Sequence, residues 1–93
     1  MALVLKDPES ALDYSVDWGL RYLTEDVLTE SSWSVVPVES GGVTIDGTRF
    51  DDVSATVNVS GGRPGKIYRL LNQIATSQGR QDSRSILVRV EVR

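Results

Sequence analysis

The chain has 93 residues, 40% hydrophobic and 25% charged, with a formal net charge of −3, a length for one domain that buries roughly 60–65% of its unfolded surface. Cysteine and histidine are both absent, which excludes disulfides, thiolate catalysis, Ser-His-Asp chemistry and the commonest zinc ligand. The acidic balance argues against a nucleic-acid partner, and no run approaches the ~20 apolar residues that span a bilayer.

The start, Met-Ala-Leu-Val-Leu-Lys-Asp-Pro, lacks the basic and long apolar regions of a signal peptide. The chain is therefore expected to be soluble and made in a cytoplasm. Residues 1–10 read as a short N-terminal arm, in which Leu3, Val4 and Leu5 are apolar, Leu3 and Leu5 are able to add a few edge-strand residues, and Pro8 interrupts any ladder. Residues 11–93 read as a single β-domain. Leu12, Tyr14, Val16 and Trp18 alternate with Asp13, Ser15, Asp17 and Gly19, a period of two that marks a strand buried on one side. Asp13 and Asp17 fall on the other face about 13 Å apart along the strand. That exceeds the ~6.5–9.5 Å of an inverting carboxylate pair. They are a solvated edge.

Gly19 to Leu28 is the one segment with helical spacing (Leu20, Leu23, Val27), enough for a single turn. Thr29 to Val38 returns to strand around Trp33, with Pro37 at its end. Ser40-Gly41-Gly42 is a turn, Val43-Thr44-Ile45 a short strand, and Asp46-Gly47 a second predicted turn. Val53, Ala55, Val57 and Val59 then face inward against Ser54, Thr56, Asn58 and Ser60. Asn58-Val59-Ser60 matches a glycosylation acceptor but lies within this strand.

The last third carries the strongest pattern. Tyr68, Leu70, Asn72 and Ile74 share one face, and so do Ile86, Val88, Val90 and Val92. The polar link Ser77 to Arg84 is predicted to join these strands as an antiparallel hairpin. Between the fifth strand and this hairpin lies Gly61-Gly62-Arg63-Pro64-Gly65-Lys66. A phosphate loop would need Gly at Ser60 and Ser or Thr at Ile67, with a helix following. A strand follows instead, so this is an interstrand corner. Asp46, Asp51 and Asp52 match no calcium loop. No catalytic residue, metal or cofactor site emerges.

Six to seven antiparallel strands with Gly-rich turns indicate an all-β fold, an immunoglobulin- or fibronectin-III-like β-sandwich. Tyr68, following Gly65-Lys66, resembles the tyrosine corner of those sandwiches, whose hydroxyl ties back to upstream backbone. Positive charge gathers late, at Arg63, Lys66, Arg69, Arg80, Arg84, Arg89 and Arg93, while acidic residues dominate the first half.

Two stretches carry a family resemblance. The first runs from Lys6-Asp-Pro through Leu12-Asp-Tyr-Ser-Val-Asp-Trp18 to Thr29-Glu-Ser-Ser-Trp-Ser-Val35. The second joins Ser60-Gly-Gly, Gly65-Lys-Ile-Tyr-Arg-Leu70 and Asn72 to Thr76-Ser-Gln-Gly-Arg-Gln-Asp-Ser-Arg84. Together they resemble the small tailed-phage fibre–tail adaptor proteins. The resemblance implies a non-enzymatic virion structural protein at the tail, baseplate or neck, binding other virion proteins, with a symmetric set of its own copies as the expected arrangement. On that reading Leu3, Val4, Leu5, Arg63, Lys66, Arg80, Asp82 and Arg84 are candidate partner contacts. Tyr14, Trp18, Trp33 and Tyr68 are core or corner residues, and Gly61, Gly62, Gly65 and Gly79 supply turns with positive φ. The competing readings are a carbohydrate-binding sandwich, for which Trp33 is the candidate sugar platform, and a capsid decoration protein.

Overall fold

The computed structural model describes residues 2–19 and 25–92. Seven strands are formed: β1 (Ala2–Lys6), β2 (Ala11–Asp17), β3 (Leu28–Val36), β4 (Val43–Phe50), β5 (Ser54–Gly61), β6 (Ile67–Thr76) and β7 (Gln81–Val90). They make a four-stranded sheet, β1-β7-β6-β3, and a three-stranded sheet, β2-β5-β4. Immunoglobulin-type sandwiches place strands B, E and D in one sheet and C, F and G in the other. The order β2-β5-β4 opposite β3-β6-β7 follows that scheme. The all-β sandwich expected from the sequence is the fold observed.

Period-two patterning explains the core. On β6, Tyr68, Leu70, Asn72, Ile74 and Thr76 are buried, and on β7 Ile86, Val88 and Val90. These pack against Val16, Trp18, Val43, Val57 and Val59 from the other sheet. Trp18 is fully buried, as its phase on β2 requires. Burying a large apolar side chain contributes about 1.5–3 kcal/mol, and one face of each sheet supplies this core.

The structure corrects several local expectations. The segment expected as a free arm is β1, paired in parallel with β7 from Ala2↔Ile86 to Lys6↔Val90. The sheet is thus not wholly antiparallel. The Asp46-Gly47 dipeptide is not a turn: β4 runs through it, and the register with β5 shifts between Ile45 and Gly47. Pairing with β5 on both sides of the dipeptide converts a turn signal into a bulge. Val53 lies outside β5 and is exposed, as is Val92 beyond the end of β7. Leu12, at the start of β2, is also exposed. The hairpin link is shorter than expected, because β6 and β7 pair as far as Ala75↔Gln81. Residues 20–24 of the expected helical turn lie outside the described residues.

Two glycines close the β5–β6 corner by necessity. Gly61 (φ 76°) and Gly62 (φ 114°) occupy backbone conformations that side chains disfavour. A Cβ on Gly62 would lie 2.6 Å from Val90 Cγ2, and one on Gly61 2.7 Å from the Gly42 carbonyl. The corner is held to β7 by the Gly65 N–H donating to the Val90 carbonyl at 2.8 Å and the Val90 N–H donating to the Lys66 carbonyl at 2.9 Å.

Candidate interaction surface

The candidate residues sit on three different parts of the sandwich. On β1, Leu3 and Leu5 face outward, whereas Val4 packs against the core. Lys6 follows Val4 inward and is fully buried. Its Nζ donates to the Gly61 carbonyl at 2.6 Å and to the Asp7 carbonyl at 2.9 Å. Desolvation lowers the Lys6 pKa, against the opposing pull of Asp7 and Asp46. An inward lysine thus fastens the end of β1 to the glycine corner.

Arg63 and Lys66 are exposed at that corner, and Arg63 Nε donates to the Ser40 carbonyl at 2.8 Å. Tyr68 closes the corner from inside. Its hydroxyl accepts from the Arg63 N–H at 3.1 Å and donates to Glu39 Oε1 at 2.6 Å. This is the backbone tie of a tyrosine corner, with a carboxylate as a second anchor. Burial, followed by the Glu39 carboxylate, raises the Tyr68 pKa.

Arg80, Asp82 and Arg84 fall in the segment expected as the polar link between the last two strands, but Asp82 and Arg84 are strand residues of β7, opposite Ile74 and Asn72. The Arg84 guanidinium lies 4.3 Å from the Trp18 ring centroid, and its Nη1 donates to the Asp17 carbonyl at 3.3 Å. Arg80 Nε stands 3.8 Å from Asp26 Oδ2. The glycine corner and the β6–β7 turn lie at opposite ends of β6, about 30 Å apart for a ten-residue strand. The eight candidate contacts therefore do not form one patch.

Asp26 carries a structural role that sequence reasoning missed. It is buried, and its Oδ1 accepts from the Val27 N–H (2.9 Å), the Ser77 hydroxyl (2.5 Å) and the Gln78 N–H (3.1 Å). Burial pushes its carboxyl up, but bonds from Ser77, Thr76, Val27 and Gln78 outweigh that and hold it below the usual carboxylate range. It clasps the start of β3 to the β6–β7 turn. Nothing local in Glu25-Asp26-Val27 marks this, because Ser77 and Gln78 lie some fifty residues away. Asn72 was visible as a polar residue in an apolar phase, which is the signal of a buried hydrogen-bond hub.

Among the described residues no group of three acidic, histidine or cysteine side chains is placed to hold a metal. Asp13 is engaged by Arg49 at 3.8 Å and by the Asn58 amide, the arrangement of a solvated polar face. Trp33 is packed on the core rather than displayed as a flat platform. No helix among the described residues is long and apolar enough to cross a membrane.

What these features define is a structural module, a two-sheet β-sandwich with polar and charged side chains on its outer faces and ends. A family model described as podophage GP4 fiber-tail adaptor protein gp77 matches residues 6–89. The chain belongs to this family of phage fibre–tail adaptor structural proteins. No curated protein sequence matches it.

Proposed function

We propose that this protein is a non-enzymatic connector of the phage virion, joining the tail, at its baseplate or neck, to fibres or neighbouring virion proteins in a symmetric set of copies. The observation that carries the reading is the family match. It takes in β2 to β6 completely and β7 up to Arg89, so the relationship concerns the sandwich itself and not an appended segment. A sandwich suits the task because its strands hold loops and faces in fixed relative positions while its core maintains the fold. Leu3 and Leu5 on β1, Arg63 and Lys66 at the glycine corner, and Arg80, Asp82 and Arg84 at the β6–β7 end are the proposed partner contacts that remain exposed, and Val4 alone of the eight packs on the core.

Deleting the gene from the phage and imaging the particles tests this. The expected particles have capsids but lack fibres or a stable tail joint, and the wild-type gene supplied in trans restores them. Infectious particles with a normal fibre complement in the absence of the protein would overturn the reading.

A further inference from the structure

We propose that the outward face of the four-stranded sheet docks on a different virion protein, at a surface that sets carboxylates among apolar side chains. The inference rests on the adaptor reading and assigns it a contact face. The pairing registers align Leu3, Leu87, Arg69 and Val36 in one row across all four strands. The adjacent row contains Leu5, Arg89 and Ile67. With strands about 4.8 Å apart, the full row is roughly 15 Å wide. Relative exposures are 61% for Leu3, 45% for Leu5, 56% for Val36 and 52% for Ile67. Isolated exposed apolar residues are ordinary, but a contiguous group on one sheet face marks an interaction site.

Charge specifies the occupant. Arg69 lies between Leu87 and Val36 and has no ion pair among the described residues. Arg89 is bonded to Glu91 at 2.8 Å. The face is therefore apolar with an uncompensated cation, and a complementary surface offers Asp or Glu between apolar groups. A second copy fits poorly. Two copies packed face to face about a two-fold axis would bring their arginines together. Packed head to tail, the leucines would meet the outer face of the three-stranded sheet. That face presents Asp13, already engaged by Arg49 and Asn58, together with Ser15, Thr44, Asn58 and Ser60, polar groups that would lose water against the leucines without gaining partners.

The test supplies variant genes in trans to the deletion phage and measures copies per particle. Arg69→Glu and Ile67→Asp are each expected to lower incorporation at least about tenfold, a loss of ~1.4 kcal/mol or more. Thr44→Asp on the opposite face is expected to incorporate normally. Melting of each purified variant establishes folding; should Ile67→Asp fail to fold, Ile67→Ser and Leu5→Ser replace it. A photo-crosslinking phenylalanine analogue at position 67 then identifies the neighbour in assembled particles. An acidic, apolar segment of another virion protein is the expected adduct. Normal incorporation of Arg69→Glu and Ile67→Asp would overturn the face while leaving the adaptor reading intact. An adduct to a second copy, or to a segment without carboxylates, would overturn the assigned occupant. A deletion phage with normal tails and fibres would instead sink the adaptor reading itself.

Discussion

Trp18 Nε1 donates a hydrogen bond to Asn72 Oδ1 at 3.0 Å across the interior of the sandwich. Trp18 follows β2 in the three-stranded sheet, and Asn72 lies on β6 in the four-stranded one. The Asn72 amide nitrogen donates onward to Ser31 Oγ at 3.0 Å and the Ser32 carbonyl at 3.1 Å. One buried amide thereby links β6, the edge strand β3 and the opposite sheet, with its carbonyl and amide both partnered. The Arg84 guanidinium covers the outer side of the same indole.

Trp18→Ala is expected to cost about 3–5 kcal/mol as a large-to-small core change, a large part of a small domain's stability. Asn72→Ala is expected to cost about 1–3 kcal/mol, since it removes the oxygen that accepts from the buried indole N–H. Urea denaturation of both singles and the double variant measures the coupling. The double should lose less than the sum of the singles, and strict additivity would mean that the Trp18–Asn72 bond contributes nothing.

Tyr68→Phe keeps the buried ring but removes the hydroxyl that serves both the Arg63 N–H and Glu39. A loss of about 1–3 kcal/mol is expected. Amide exchange should quicken at Arg63 and Lys66 before it does in mid-β6. Unchanged protection at the corner would show that the glycines alone hold it.

Glycine substitutions should separate steric crowding from backbone strain. Gly62→Ala meets Val90 Cγ2 at 2.6 Å in a φ 114° conformation, whereas Gly79→Ala, at φ 83°, has nothing within 4 Å. Gly79→Ala is expected to cost about 1–2 kcal/mol from the left-handed backbone alone. Gly62→Ala should cost clearly more, and melting temperatures in the reverse order would refute the packing of the corner against β7.

Acidification should weaken the Asp26 clasp. The carboxyl's folded-state pKa is lowered, so its contribution to stability is present above the unfolded carboxylate pKa of about 3.9. It is lost as pH falls through the folded value. Asp26→Asn should therefore melt well below the wild type at pH 7, with the gap narrowing at progressively lower pH. Asp51, also lowered, by the Val53 and Ser54 N–H groups and the Ser54 hydroxyl, adds a background slope common to both proteins. A gap that stays constant down to strongly acidic pH would contradict a charged Asp26 as the clasp.

By itself the sequence determined the elements whose signal is local. Alternation at Tyr68, Leu70, Asn72 and Ile74 and at Ile86, Val88 and Val90 defines two strands and their buried faces, because successive side chains point to opposite sides of any strand. The glycine corner was equally legible, since positive φ is a property of individual residues. Tertiary structure alone decided the features that depend on a distant partner. Asp46-Gly47 has the composition of a turn, yet pairing with β5 holds it within a strand as a bulge. Residues Ala2–Lys6 read as an arm, yet parallel pairing with β7 makes them a sheet edge and buries Lys6 against Gly61. The same pairing sets the exposed Leu3 beside the half-buried Leu87 on the outer face, and so joins apolar residues more than eighty positions apart. Periodicity tells each strand which face to bury, but register and neighbour are set by contacts between strands, and those no local pattern encodes.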